Sequence, residues 1–94
     1  MRNVTNVLLD ELRKANGIGS DYALAKVLDV GVTTISNYRN NRSQLSDEIA
    51  LRVAAALNRP AAPILAELAA ERAKHPEVAK VWREAAKTLS RKRS

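Results

Sequence analysis

The 94-residue chain contains no cysteine. Disulfides, thiolate chemistry and zinc-finger sites are therefore excluded, and nothing in the sequence calls for an oxidising compartment. Phenylalanine is absent too, and the only aromatic residues are Tyr22, Tyr38 and Trp82. Strands draw on aromatic and β-branched side chains, helices on small and straight-chain ones. With Ala and Leu dominating the apolar set, the balance falls on α-structure. The longest apolar run, Val53 to Leu57, is far short of the ~20 residues a membrane helix needs. The start, Met1-Arg2-Asn3-Val4, lacks the apolar stretch of a signal peptide, so a cytoplasmic protein without membrane association is expected. His75 is the only histidine. With no glycine-rich phosphate loop and no metal-ligand or Ser/His/Asp set, an enzyme is not expected, and neither a cofactor nor a small-molecule substrate is implied.

What is present is apolar residues and positive charge. Hydrophobic residues make up 46% of the chain, enough to fold as one small domain. Sixteen Lys/Arg against ten Asp/Glu give a net charge of +6. The excess is uneven: +2 over residues 1–45, −1 over 46–73 and +5 over 74–94. A basic balance makes polyanions the natural partners, whether nucleic acid or an anionic membrane surface, although a solvated surface would look the same.

Apolar residues recur at helical spacing in several segments. Val4, Val7, Leu8, Leu12 and Ala15 form one stripe, stopped by Asn16-Gly17. Ser20 is placed to cap a second helix of little more than two turns, with Leu24 and Leu28 on one side, broken by Asp29-Val30-Gly31. A third helix starts near Val32 or Thr33 and ends in the polar cluster Asn40-Asn41-Arg42-Ser43. Ser46 can cap a fourth, with Asp47 and Glu48 in its first turn and Ile49, Ala50, Val53, Ala54 and Leu57 as its stripe. A fifth is expected from Pro60 or Pro63, lined by Ile64, Leu65, Leu68 and Ala69. A sixth opens at Pro76, with Val78, Val81, Trp82, Ala85 and Leu89 in register. No segment alternates with period two. The fold class is all-α, with five to six short helices; residues 1–73 are expected to form the main domain and 74–94 a basic C-terminal helix and tail.

The most informative stretch is Asp21 to Asn40, DYALAKVLDVGVTTISNYRN. Two short helices that cross steeply need a small residue where they meet, which Ala25 supplies, and inward apolar residues, here Leu24, Leu28, Val30, Ile35 and Tyr38. The turn needs a residue tolerant of unusual backbone angles, and Asp29 and Gly31 are available. This arrangement resembles the DNA-binding domain of the phage Cro/C1-type (XRE-like) repressor family, over roughly residues 4–70. The phrase Ile35-Ser36-Asn37-Tyr38-Arg39-Asn40-Asn41-Arg42 is especially family-like, and the whole chain resembles small regulators of filamentous phages and prophages. It departs from the family at Asp29, where glycine is usual, and at Gly31, where Ser or Thr usually caps the second helix of the motif.

The resemblance implies a lambda-repressor-like helix-turn-helix domain with an additional C-terminal helix. It implies a sequence-specific regulator of double-stranded DNA, a repressor in the cytoplasm of a bacterial host. Helix 32–40 would enter the major groove. Base edges would be read by Val32, Thr33, Ser36 and Asn37: Asn can pair with adenine, Ser and Thr with any base, and Val32 can touch a thymine methyl. Phosphate contacts are expected from Ser20 and Tyr22 at a helix N-terminus and from Arg39, Asn40, Asn41, Arg42 and Ser43. Trp82 is expected to anchor packing beside Val78, Val81 and Leu89. The family habit of binding paired half-sites implies a homodimer, with Ile64, Leu65, Leu68, Val81 and Trp82 as interface candidates, unless these residues only close the monomer core. The tail Arg91-Lys92-Arg93 is a candidate for nonspecific DNA contacts. Two rivals stand beside this reading: an antitoxin of similar fold that binds a toxin protein, and a nonspecific binder of nucleic acid or membrane that uses the basic sixth helix.

Overall fold

A computed structural model describes residues 3–91, the side chain of Arg91 excepted. The chain forms α1 (Val4–Ala15), α2 (Asp21–Leu28), α3 (Val32–Arg39), α4 (Asp47–Leu57), α5 (Ala61–Arg72) and α6 (Pro76–Arg91), and no strand occurs among the described residues.

Four of the six starts have a clear local cause. Ser20 and Ser46 cap α2 and α4, their hydroxyls accepting from the N–H groups of Ala23 and Ile49. Asn3 does the same for α1, accepting from Asn6. α5 follows Pro60, with Pro63 buried in its first turn, where the missing N–H would have had no partner.

The first four helices stop by one shared device. After α1, α2, α3 and α4 the chain turns left-handed at Gly17, Asp29, Asn41 and Asn58, with φ of 63°, 56°, 59° and 55°. In each case the next N–H reaches back to a carbonyl five residues upstream: Ile18 to Arg13, Val30 to Ala25, Arg42 to Asn37 and Arg59 to Ala54. These are Schellman motifs. Only one of the four uses glycine; the others use Asp or Asn, the side chains that bear this conformation at least cost after glycine.

The core joins α1 to α5. Leu9, Leu12, Leu24, Leu28, Ile35, Val53, Ile64 and Leu68 are almost wholly out of contact with solvent, as is Leu45 in the segment before α4. Burial of a leucine or isoleucine side chain contributes about 1.5–3 kcal/mol, so these residues carry most of the driving force. On α1 the buried face differs from the expected stripe. Thr5, Asn6, Leu8, Leu9 and Leu12 point inward, while Val7 is 47% exposed and Ala15 is exposed. The inner face is turned toward two polar residues because both find partners: Thr5 Oγ1 accepts from the Leu45 N–H at 3.2 Å, and Asn6 donates to the Tyr38 carbonyl at 2.9 Å. No buried side-chain polar atom among the described residues lacks a hydrogen bond.

α5 is buried on two sides. Ile64 and Leu68 face the core, and Pro63, Ala66 and Ala70 are covered as well. α6 packs chiefly on α5, and the α6 residues it buries there are Ala79 and Ala86. The stripe expected to anchor this helix is not the packed one: Val78, Val81, Trp82 and Leu89 are all exposed, Val81 at 65% and Trp82 at 42%. By helical geometry that stripe is rotated roughly a quarter-turn from the alanine face. Alanines let two helices approach closely, and that close approach leaves the larger residues on the flank.

Candidate nucleic-acid interface

α2 and α3 pack against each other, with Ala25 buried and Asp29 making the left-handed exit. Arg52 of α4 secures the end of α2 by donating to the carbonyl oxygens of Leu28 at 2.9 Å and Asp29 at 3.2 Å. Gly31 precedes α3 with no side-chain cap, as the sequence implied.

The inward side of α3 is locked. Ile35 and Tyr38 are buried, and burial raises the Tyr38 phenol above its ordinary pKa of 10.0. Arg39 was expected to hold a phosphate; instead its guanidinium is committed inside the protein. It donates to both carboxylate oxygens of Asp21, from Nε at 3.1 Å and from an NH2 group at 3.0 Å. Its other NH2 group lies 2.9 Å from Asp10 and donates to Asn6 Oδ1 at 3.0 Å. Arg39 thus ties α3 to α1 and to the first turn of α2. Arg13 joins the cluster, donating to the carbonyls of Ile18 and Gly19 and lying 3.4 Å from Asp21. The Arg39 hydrogen bonds, with the charges of Arg39 and Arg13, hold the Asp21 carboxyl below its ordinary pKa of 3.8 despite partial burial. A carboxylate at the α2 N-terminus would repel a phosphate, but here two arginines offset it. This cluster was missed at sequence level. Its members lie up to 33 residues apart, and no local pattern pairs them.

The outward side is free. Val32 is 51% exposed, Thr33 and Ser36 are exposed, and Asn37 is half-buried. The side chains of Thr33 and Asn37 make no hydrogen bond to the described residues, and Ser36 takes one only from Asn40. The four expected base-reading residues therefore lie along one accessible face.

The expected phosphate-binding residues divide. At the start of α2 the N–H groups of Asp21 and Tyr22 have no partner among the described residues, and Tyr22 is exposed with Lys26 Nζ 4.7 Å above its ring. Ser20 keeps its hydroxyl proton available while its oxygen caps the helix. After α3, Arg42 and Ser43 are exposed with side chains unbonded in the described residues. Asn41 is held by Asn3 at 2.7 Å and Asn6 at 3.3 Å, both donating to its Oδ1. Asn40 turns its NH2 toward Ser36, which leaves no amide donor for a phosphate.

The dimer candidates divide too. Ile64 and Leu68 are fully buried in the monomer core and have no surface to offer a partner, and Leu65 is partly buried against the same core. Val81 and Trp82 are exposed. In the tail, Lys92, Arg93 and Ser94 lie outside the described residues. No described helix is long and apolar enough to cross a membrane, and no described cluster of His, Cys, Asp or Glu could hold a metal ion.

Two short helices joined by a left-handed turn, braced by α1 and α4, with polar groups free on the outer helix, define a helix-turn-helix DNA-binding protein. The profile of one protein family, described as helix-turn-helix (HTH_3), matches residues 9–64, more than half of the chain. The chain belongs to this Cro/C1-type family, which is a family of DNA-binding transcription regulators and not of enzymes, and it has the lambda-repressor-like fold. No curated protein and no solved structure matches the chain.

Proposed function

We propose that the protein is a repressor of the phage or prophage type that binds a two-fold operator as a homodimer in the cytoplasm of a bacterial host. α3 enters the major groove, with Val32, Thr33, Ser36 and Asn37 on base edges. The α2 amides, Ser20, Tyr22, Arg42 and Ser43 meet phosphates on either side, which sets register without choosing sequence. Helices α1 to α5 read the DNA, and α6 joins the two copies. A protein bound tightly across a promoter represses by excluding polymerase.

The observation that carries this reading is the contrast across α3. Its inner residues are fixed by the core and by Arg39, while Thr33 and Asn37 outside have no side-chain hydrogen bond among the described residues. Groups held rigidly and left unbonded are suited to base edges, because little ordering cost remains when they bind. The dimer is supported by the exposed Val78, Val81, Trp82 and Leu89 on α6, an apolar strip with a tryptophan, a residue type enriched at interface hot spots. Size agrees: the protein measures 36 × 32 × 22 Å, and half-sites one helical turn apart are separated by about 34–36 Å.

The test is titration onto the DNA upstream of the protein's own gene and onto scrambled duplex, at two salt concentrations, for wild type and Asn37→Ala. A preference of ~10³ or more for its own DNA, lost in the variant while the salt slope is kept, supports the reading. Equal binding of both duplexes by both proteins would rule it out and turn attention to a protein partner.

A further inference from the structure

One hydrogen bond on the outer face of α3 has a fixed direction. Asn40 Nδ2 lies 2.9 Å from the Ser36 carbonyl oxygen and 3.3 Å from Ser36 Oγ. A carbonyl oxygen only accepts, so the Asn40 atom facing it must be the NH2. Turning the amide over would set two oxygens against each other. An NH2 only donates, so Ser36 Oγ must be the acceptor. A hydroxyl has one proton and two lone pairs, and Asn40 occupies one of the lone pairs. The Ser36 proton makes no bond to the described residues, not even to the carbonyl four residues back, the usual outlet for a serine within a helix. Ser36 is exposed, so this proton is available to a partner outside the protein.

We propose that Asn40 is a specificity-determining residue that presents Ser36 to DNA as a hydrogen-bond donor, so that Ser36 rejects cytosine at the base it faces. The proposal rests on α3 being the base-reading helix. In the major groove adenine and guanine offer N7, guanine also O6, and thymine O4; cytosine alone offers only its N4 amino donor. Against cytosine the Ser36 proton would meet no acceptor on the base edge, and an unmet donor there is costly. Asn40 thereby acts through Ser36. Its own contact with DNA is not needed.

The experiment is selection of bound sequences from a pool of duplexes with a randomised segment, using wild type, Ser36→Ala, Asn40→Ala and Asn40→Asp. Both positions are exposed, so the fold should survive, and circular dichroism checks this. Wild type should exclude cytosine at one position per half-site by about tenfold. Ser36→Ala should remove that exclusion there and nowhere else, and Asn40→Ala should weaken it. Asn40→Asp should weaken it too, because a carboxylate oxygen is repelled by the Ser36 carbonyl and cannot donate to Ser36 Oγ. The added charge lowers affinity for every sequence alike and does not mimic a base-specific loss of exclusion. If Ser36→Ala removes the exclusion but both Asn40 variants keep it, the role of Asn40 is overturned and base reading by α3 stands. If Ser36→Ala changes no position, Ser36 does not read a base and the inference is overturned. Failure of wild type to enrich any sequence would overturn the proposed function along with it.

Discussion

The two ends of the molecule expose different chemistry for different reasons. At α3 the surface is polar, and the helix beneath it is held by a cluster that includes Asp10, Asp21, Arg13, Arg39 and Asn6. At α6 one flank of the exposed surface is an apolar strip, and the helix beneath it is held by two alanines. The first region aligns hydrogen-bonding groups and so needs a framework that fixes orientation. The second offers a strip of hydrocarbon, whose interactions have little directionality and need only be uncovered. One end is built to discriminate, the other to adhere.

The comparison breaks first at α6. Val81→Asp should turn a dimer into a monomer, read by light scattering across protein concentration. Operator affinity should fall about 10²-fold as the second half-site ceases to be bound intramolecularly. An unchanged mass and affinity would remove α6 from the assembly. Thermal stability should fall only by the part that association contributes and should no longer depend on protein concentration, because the side chain is exposed in the single copy.

Arg39→Ala attacks the other end through its framework. Removing a mostly buried guanidinium leaves Asp21 and Asp10 without it, and we expect a loss of about 2 kcal/mol in denaturant unfolding. The Asp21 carboxyl titrates below its ordinary pKa in the folded protein, so its stabilising contribution is full above the unfolded value and disappears as pH falls through the folded one. Wild type should therefore lose stability in acid over a range where Arg39→Ala, already lacking the pair, changes less. Parallel acid profiles would mean the ion pair contributes nothing.

Asn37→Ala should leave folding intact and reduce discrimination at one base position by about tenfold, read by competition between operator variants. An effect equal on all sequences would assign Asn37 to the backbone instead.

The smallest effects lie in the turn. Asp29→Gly removes a β-carbon from a left-handed residue and should stabilise by about 1 kcal/mol, raising Tm by a few degrees. Gly31→Ser should add a few tenths of a kcal/mol by capping α3; a β-carbon there meets nothing nearer than Thr34 Oγ1 at 4.0 Å. Operator preference should be unaffected by either.

Much of this architecture was legible because it is encoded locally. Ser20, Ser46 and Pro76 mark starts, Gly17, Asp29 and Asn58 mark stops, and the helices begin within a residue or two of where the sequence places them. The four residues on the outer face of α3 follow from the same periodicity that buries Ile35 and Tyr38. What was not legible depends on pairs distant in the chain. Periodicity groups Val78, Val81, Trp82 and Leu89 into a stripe but cannot say which side of α6 meets α5, and the alanines decided that. Val7 follows the apolar pattern of α1, yet Thr5 and Asn6 take the inner positions because Leu45 and Tyr38 supply their partners from more than thirty residues away. Arg39 looked like one more cation beside DNA because Asp10 and Asp21 are brought to it only by the fold.

The alanine seam also acts as a spacer. Interaxial distance between packed helices grows with the side chains between them, over about 8–10 Å. If α6 joins the two copies, the thickness of that seam sets how far apart the two recognition helices stand. Replacing Ala86 with a bulkier apolar residue would push α6 outward and lengthen the operator that fits best. The number of base pairs between half-sites would then be governed by two methyl groups on the face of the molecule farthest in function from the bases it reads.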